Sequence, residues 1–186
     1  MTDQPGRRVQ DIVESPPVQP VIRRLREDDL PKLLVFGAAL AKDDWLYLDV
    51  NLQTDAAIVR LINAVEARNW RQFVAVVGDE IVGYVNVRQL AGWKRHVGDI
   101  ALVVRADYRR RGIGTALASA VIDAGRELSL HKLIVEVVEE QYGGQHVFVR
   151  LGFRCEGLFV NHAIDYLNRP RNLMLLSYEL AAEKPT

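Results

Sequence analysis

Residues 99–128 read DIALVVRADYRRRGIGTALASAVIDAGREL. Asp99 to Val104 is nearly all apolar and β-branched at its end, a buried strand. From Ile113 onward the period changes. Ile113, Ala116, Leu117, Ala120, Val121 and Ala124 recur at helical spacing and form one apolar stripe. Between strand and helix lies Arg109-Arg110-Arg111-Gly112-Ile113-Gly114. Glycine lets a backbone approach a ligand closely, because no Cβ intervenes. The first-turn amides of the helix have no intrahelical partner and sit at the positive end of its dipole. That is an anion site, and phosphate is its usual occupant. The three arginines add positive charge at the rim. Gly-Lys-Ser/Thr is absent, so the loop is not a P-loop. Leu117 stands where a dinucleotide fingerprint needs a third glycine or alanine. The bland alternative is a strand-to-helix turn with a solvated basic rim.

The remaining chain bounds what this turn serves. The 186 residues suit one domain with a sizeable core, and 49% of them are hydrophobic. Lys plus Arg and Asp plus Glu are 24 each. Zero net charge argues against nucleic-acid binding by bulk electrostatics. The single cysteine, Cys155, rules out an intrachain disulfide and a cysteine-rich metal site, and reads as a small apolar filler. No apolar run is long enough to span a membrane, and the N-terminus lacks a signal-peptide core. These features fit a reducing cytoplasm, with no membrane partner and no metal.

Residues 1–20 are proline-rich and polar, the pattern of a mobile tail, and residues 21–182 read as the domain. Val21–Leu25 is a strand. Glu27-Asp28-Asp29 followed by Pro31 starts a helix that runs to about Lys42. Thr54 or Asp55 caps a second helix. Phe73–Val77 and Ile81–Val87 flank a Gly78-Asp79-Glu80 turn, and Val97–Arg105 is the fourth strand. Lys132–Val138 is the fifth. Gly143-Gly144 breaks the chain, and a short helix covers 145–151. Phe153–Ile164 and Leu173–Leu180 close as an antiparallel pair. The order β-α-α-β-β-β-α-β-α-β-β predicts an α/β fold with a mixed, largely antiparallel central sheet flanked by helices.

Five segments in this order resemble the GNAT superfamily of N-acetyltransferases: IRRLREDDLPKL, VAVVGDEIVGYV, IALVVRADYRRRGIGTAL, LIVEVVEE and VFVRLGF. The resemblance runs from about Pro20 to the C-terminus. It is similar to small-amine, amino-acid and ribosomal-protein N-terminal acetyltransferases. It implies acetyl-CoA as cosubstrate and a primary amine of a small molecule, amino acid or protein as acceptor. Arg109, Arg110, Arg111, Gly112, Ile113, Gly114 and Thr115 would hold the pyrophosphate. It also implies a bulge near Val103-Val104 that splays the fourth strand from the fifth, with pantetheine in the gap along Leu102, Val103 and Val104. A homodimer is left open. A non-catalytic acyl-CoA-binding module is the second reading.

Amide formation from a thioester needs a deprotonated amine, donors for the oxyanion and a leaving thiolate. Glu136 lies mid-strand in an apolar run, where a carboxylate is unexpected unless paired or functional, so it is the first candidate base. Its setting is similar to that of the ribosomal-protein acetyltransferases. Asp99 is second, and the two carboxylates together would raise one pKa. His96 has a suitable intrinsic pKa but a surface setting. The family pattern is Asn, Ala, Tyr before Leu-Gly-Phe. Here Gln141 and Phe148 stand at the Asn and Tyr positions, so the usual acid is missing. Tyr142 is the local substitute donor, and Phe148 is left to pack against pantetheine. The acceptor pocket is expected from residues 43–52, residues 90–96 and the last hairpin, with Trp45, Tyr47, Trp93 and Tyr166 as lining.

Overall fold

The computed structural model describes residues 19–44, 48, 51–52 and 54–180. The expected tail lies almost wholly outside these residues, as do Trp45 and Tyr47. The elements are β1 (Val21–Arg24), α1 (Leu30–Ala39), α2 (Asp55–Asn63), β2 (Trp70–Val77), β3 (Glu80–Gln89) and β4 (Val97–Val104). There follow α3 (Ile113–Glu127), β5 (Lys132–Val138), α4 (Tyr142–Arg150), β6 (Arg154–Ile164) and β7 (Pro170–Glu179). The strands form a 7-stranded sheet in the order β1-β2-β3-β4-β5-β7-β6. Every neighbouring pair is antiparallel except β4–β5. The expected mixed, largely antiparallel sheet is therefore present.

Helices cover the sheet on both faces, and the alternation of each strand sorts its side chains between two cores. On one face Ile113, Leu117 and Val121 of α3 pack with Ile100, Leu133, Val135, Val137 and Phe148. On the other, Leu33 and Phe36 of α1 and Ile58 and Leu61 of α2 pack on Val74, Tyr84 and Val103. A buried polar chain pins α2 there. The Tyr84 hydroxyl donates to Gln72 Oε1 at 2.7 Å, and Gln72 Nε2 donates to the Leu61 carbonyl at 2.8 Å. Burial raises the Tyr84 pKa, so the hydroxyl stays a donor. The buried strand residues of this second core come from β2, β3 and β4 and not from β5 to β7. The α1–α2 layer thus leaves the β5 side of its face open.

The entry to α1 is fixed by Asp29. Its carboxylate accepts from Arg23 Nη1 and Nη2 at 2.6 and 2.7 Å and from the Arg26 amide at 2.9 Å. Burial pushes the Asp29 carboxyl up, but these donors outweigh it and hold the pKa below its ordinary value.

Four expectations need correction. Helix α1 ends at Ala39, and its expected first turn is a separate 3₁₀ turn over Glu27–Asp29. Gly143 and Gly144 do not break the chain: α4 begins at Tyr142 and contains both. Gly144 admits the Gln141 side chain, because a Cβ there would sit 3.0 Å from Gln141 Oε1. Cys155 is exposed rather than a core filler, because β6 is the sheet's edge strand. The expected bulge at Val103-Val104 is absent, since β3 and β4 pair one for one from Gly83↔Val104 to Gln89↔Gly98. Among the described residues, no helix is long and apolar enough to cross a membrane.

Candidate active site

The splay arises without a bulge. Strands β4 and β5 pair only over Val97–Ile100 and Lys132–Val135. Beyond Ile100, β4 continues against β3, and beyond Val135, β5 continues against β7. The two strands part because each keeps its outer neighbour and loses its inner one.

Hydrogen bonding fixes which backbone groups face the gap. The Arg105 amide donates to the Val82 carbonyl at 2.9 Å, and the Leu90 amide donates to the Val97 carbonyl at 2.9 Å. Odd-numbered residues of β4 therefore turn their backbone to β3, and even-numbered ones turn it to β5. Leu102 and Val104 present N–H groups to the gap, whereas Val103 does not. The Val103 side chain is buried in the α1–α2 core. On β5 the Glu139 amide donates to the Asn172 carbonyl of the β7 side at 3.0 Å. The backbone of Glu136 and Val138 therefore faces β4. The Val138 carbonyl is taken by the Gln141 amide at 2.9 Å, which closes the gap at the start of α4.

The cofactor-loop residues come together at the open end of β4. Arg110 and Gly112 have positive φ, 61° and 79°. At Gly112 this left-handed conformation forms the N-cap of α3 and favours a residue without a Cβ. The Ala116 amide donates to the Gly112 carbonyl at 3.0 Å, the first bond of the helix. The amides of Ile113, Gly114 and Thr115 precede it and have no acceptor within the helix. A Cβ at Gly114 would lie 3.4 Å from Val147 Cγ2 and 3.9 Å from Val104 Cγ2. Gly114 therefore sits where α3, α4 and the end of β4 converge. The Tyr108 ring holds two of the local guanidiniums, with Arg105 Cζ at 4.7 Å and Arg111 Cζ at 5.0 Å from its centroid. Arg109 is committed differently. Its Nε donates to the Val104 carbonyl at 2.9 Å, and its Nη2 donates to Asp44.

Glu136 is exposed on the face left open by the α1–α2 layer. Asp99 pairs in register with Ile134, so its side chain shares a face with Ile134 and with Glu136 one pleat farther along. The two candidate carboxylates thus share a face, and Arg88 stands opposite Asp99 on β3. Lys42 Nζ lies 5.9 Å from the Tyr166 ring centroid, bringing the turn after α1 to the β6–β7 turn. Asp165 organises that second turn by accepting from the Leu167 and Arg169 amides, both at 2.9 Å, and from Arg169 Nε at 2.8 Å.

Other sequence candidates are placed elsewhere. Phe148 is buried and meets Phe153 edge-on at 5.0 Å between centroids, within the α3-side core. Tyr142 opens α4 and is 74% exposed. Residues 90–96 were expected at the acceptor pocket, but they precede β4 and so lie at its paired end. The His96 carbonyl accepts the amides of His131 and Lys132 there, at 2.8 and 3.2 Å. Asp44 was missed. Its only sequence signal is a carboxylate that turns out to be buried, and its partner is 65 residues away.

The family model described as "Acetyltransferase (GNAT) family" matches residues 38–153. A segment of 56 residues is 50% identical to mycothiol acetyltransferase of Rhodococcus erythropolis, covering 30% of this chain and 18% of that protein. YnaD of Bacillus subtilis, an uncharacterized N-acetyltransferase, is 24% identical over 116 residues, covering 61% of this chain and 67% of its own length. In fold, the chain is similar to YncA of Salmonella typhimurium, solved with its cofactor acetyl-CoA. The TM-score is 0.74 at 17% identity, over 90% of this chain and 97% of that one. With its family model spanning the splayed strands, the glycine loop and the Leu-Gly-Phe segment, the chain belongs to the acetyltransferase (GNAT) family.

Proposed function

We propose that this chain transfers the acetyl group of acetyl-CoA to a primary amine of a small molecule, amino acid or protein. The observation that carries the reading is the unpaired stretch of β4 and β5, which leads directly to the free amides at the start of α3. A thioester arm needs a slot with backbone partners, and its pyrophosphate needs an anion site at the slot's mouth. Leu102 and Val104 amides supply donors for the thioester oxygen. Ile113, Gly114 and Thr115 amides, with Arg110 and Arg111 at the rim, face the phosphates. When bound, acetyl-CoA supplies the activated acetyl group and a leaving thiol whose ordinary pKa is about 8.5.

The chain's own part is proton handling and placement. Glu136 stands on the open face beside the gap and takes the proton from the incoming ammonium, with Asp99 on the same face as the second candidate. Phe148 has no proton to give and is committed to the core. The thiolate therefore leaves with water, or with the exposed Tyr142 hydroxyl, as its proton source. Coenzyme release with acetyl-CoA and a panel of amines and amino acids tests the activity. Turnover of at least one amine is expected. Phe148 at the tyrosine position favours one second reading, an acyl-CoA-binding module without catalysis. Tight acetyl-CoA binding with no turnover across the panel would support it instead.

A further inference from the structure

Among the described residues, an ion pair between Asp44 and Arg109 joins the turn after α1 to the cofactor loop. The Asp44 side chain is 4% exposed, and its partner's is 43% exposed. Asp44 Oδ2 accepts from the Ala41 amide at 3.2 Å, and the Asp44 amide donates to the Ala41 carbonyl at 2.9 Å. The carboxylate is thereby fixed within its own turn. Its Oδ1 accepts from Arg109 Nη2. The same guanidinium donates through Nε to the Val104 carbonyl at 2.9 Å, on the edge of β4 that faces the gap. Two contacts fix the plane of a rigid fork and leave further N–H donors for an anion. A carboxylate this buried needs such a partner.

We propose that Asp44 is a positioning residue for cofactor binding. It holds Arg109 across the open end of β4 and joins the turn at Ala41–Asp44 to the cofactor loop as one unit. The turn belongs to the layer on the face that carries Asp99 and Glu136, so an anion bound at the loop also orders that wall of the acceptor side. This rests on the acyl-CoA reading above. A merely structural ion pair would affect stability and leave the affinity of the folded protein unchanged.

Calorimetric titration with coenzyme A itself, on the native protein, Asp44→Asn, Arg109→Lys and the double variant, separates the two. Loss of one charge-assisted contact that orients the fork should raise the coenzyme A Kd about tenfold in Asp44→Asn. The double variant should bind no worse than Arg109→Lys alone, because both residues serve one role. In the native protein, hydrogen exchange at the Ala41 amide should slow when coenzyme A binds, and this reading needs no variant to fold. Equal Kd values for native and Asp44→Asn, or Ala41 exchange indifferent to bound coenzyme A, would overturn the latch while leaving the cofactor site intact. A native protein that does not bind coenzyme A would overturn the acyl-CoA reading and the latch with it.

Discussion

The two ends of the β4–β5 pair are built from the same apolar residue types and serve opposite ends. At the paired end Gly98 is squeezed from three sides. A Cβ there would lie 2.5 Å from Leu130 Cδ1, 2.8 Å from Val87 Cγ2 and 3.0 Å from Leu133 Cδ2. At the open end Gly112 has nothing within 4 Å of where its Cβ would be, and its φ is +79°. The first glycine is required by packing and the second by backbone conformation at an exposed surface. Strand hydrogen bonds are satisfied within the sheet at one end and turned into a slot at the other. The difference teaches that splaying needs no irregularity within a strand. It follows when two neighbouring strands each stay paired on their far sides.

If the open end carries the chemistry, substitutions there should change rate and affinity, and substitutions in the packed core of the paired end, such as Gly98, should change stability alone. The largest effect is expected from Glu136→Gln. Its turnover at pH 7 should fall by about 10²–10⁴, the usual range for acid–base catalysis, with coenzyme A affinity nearly intact. The deficit should shrink at high pH, where the amine loses its proton unaided, and a pH–rate profile checks both points. Next, Gly112→Val places a β-branched residue at left-handed φ, so the first turn of α3 must rearrange. Acetyl-CoA affinity is expected to fall by about 10–100-fold by calorimetry, a loss of about 1.4–2.8 kcal/mol. An unchanged affinity in a folded Gly112→Val protein would remove the loop from the site.

Gly98→Ala sharpens the contrast from the other end. Overpacking against Leu130, Val87 and Leu133 should cost about 1–3 kcal/mol in denaturant unfolding and leave the acetyl-CoA Kd as it was. A matching loss of affinity would mean that the ends are not separable. The smallest effect is expected from Phe148→Tyr. From sequence alone, restoring the family hydroxyl should raise the rate or leave it equal. The burial of Phe148 against Phe153 changes that expectation to a stability loss of about 1 kcal/mol with turnover unchanged. A clear rate gain would place the hydroxyl in the gap and restore the usual acid.

How much of this was legible in the sequence follows from the range of each interaction. Strand β5 was read at its observed bounds, Lys132–Val138, because a short β-branched run between polar residues has few other solutions. Helix α3 was read from its apolar stripe and its glycines. The Gly143-Gly144 reading failed because glycine's cost in a helix, about 1 kcal/mol, is easily overridden by tertiary packing. The bulge failed because the splay is a property of strand partners, and partners are not written in a single strand. The position of residues 90–96 was not legible for a related reason: chain order gives a loop, and only register says that it adjoins the paired end of β4. Asp44 and Arg109 were separately visible as charges, but nothing local indicates that they meet.

The central claim is that the slot between the open ends of β4 and β5 receives the acyl-CoA arm. Residue-resolved hydrogen exchange of the β4 amides, with and without acetyl-CoA, tests it most directly. The Leu102 and Val104 amides face the slot, whereas Ile100 sits in the segment already paired with β5. Bound acetyl-CoA should slow exchange strongly at Leu102 and Val104 and leave Gly98 and Ile100 nearly unchanged. Saturating acetyl-CoA that protects all four amides alike, or leaves Leu102 and Val104 at their free rates, would contradict it.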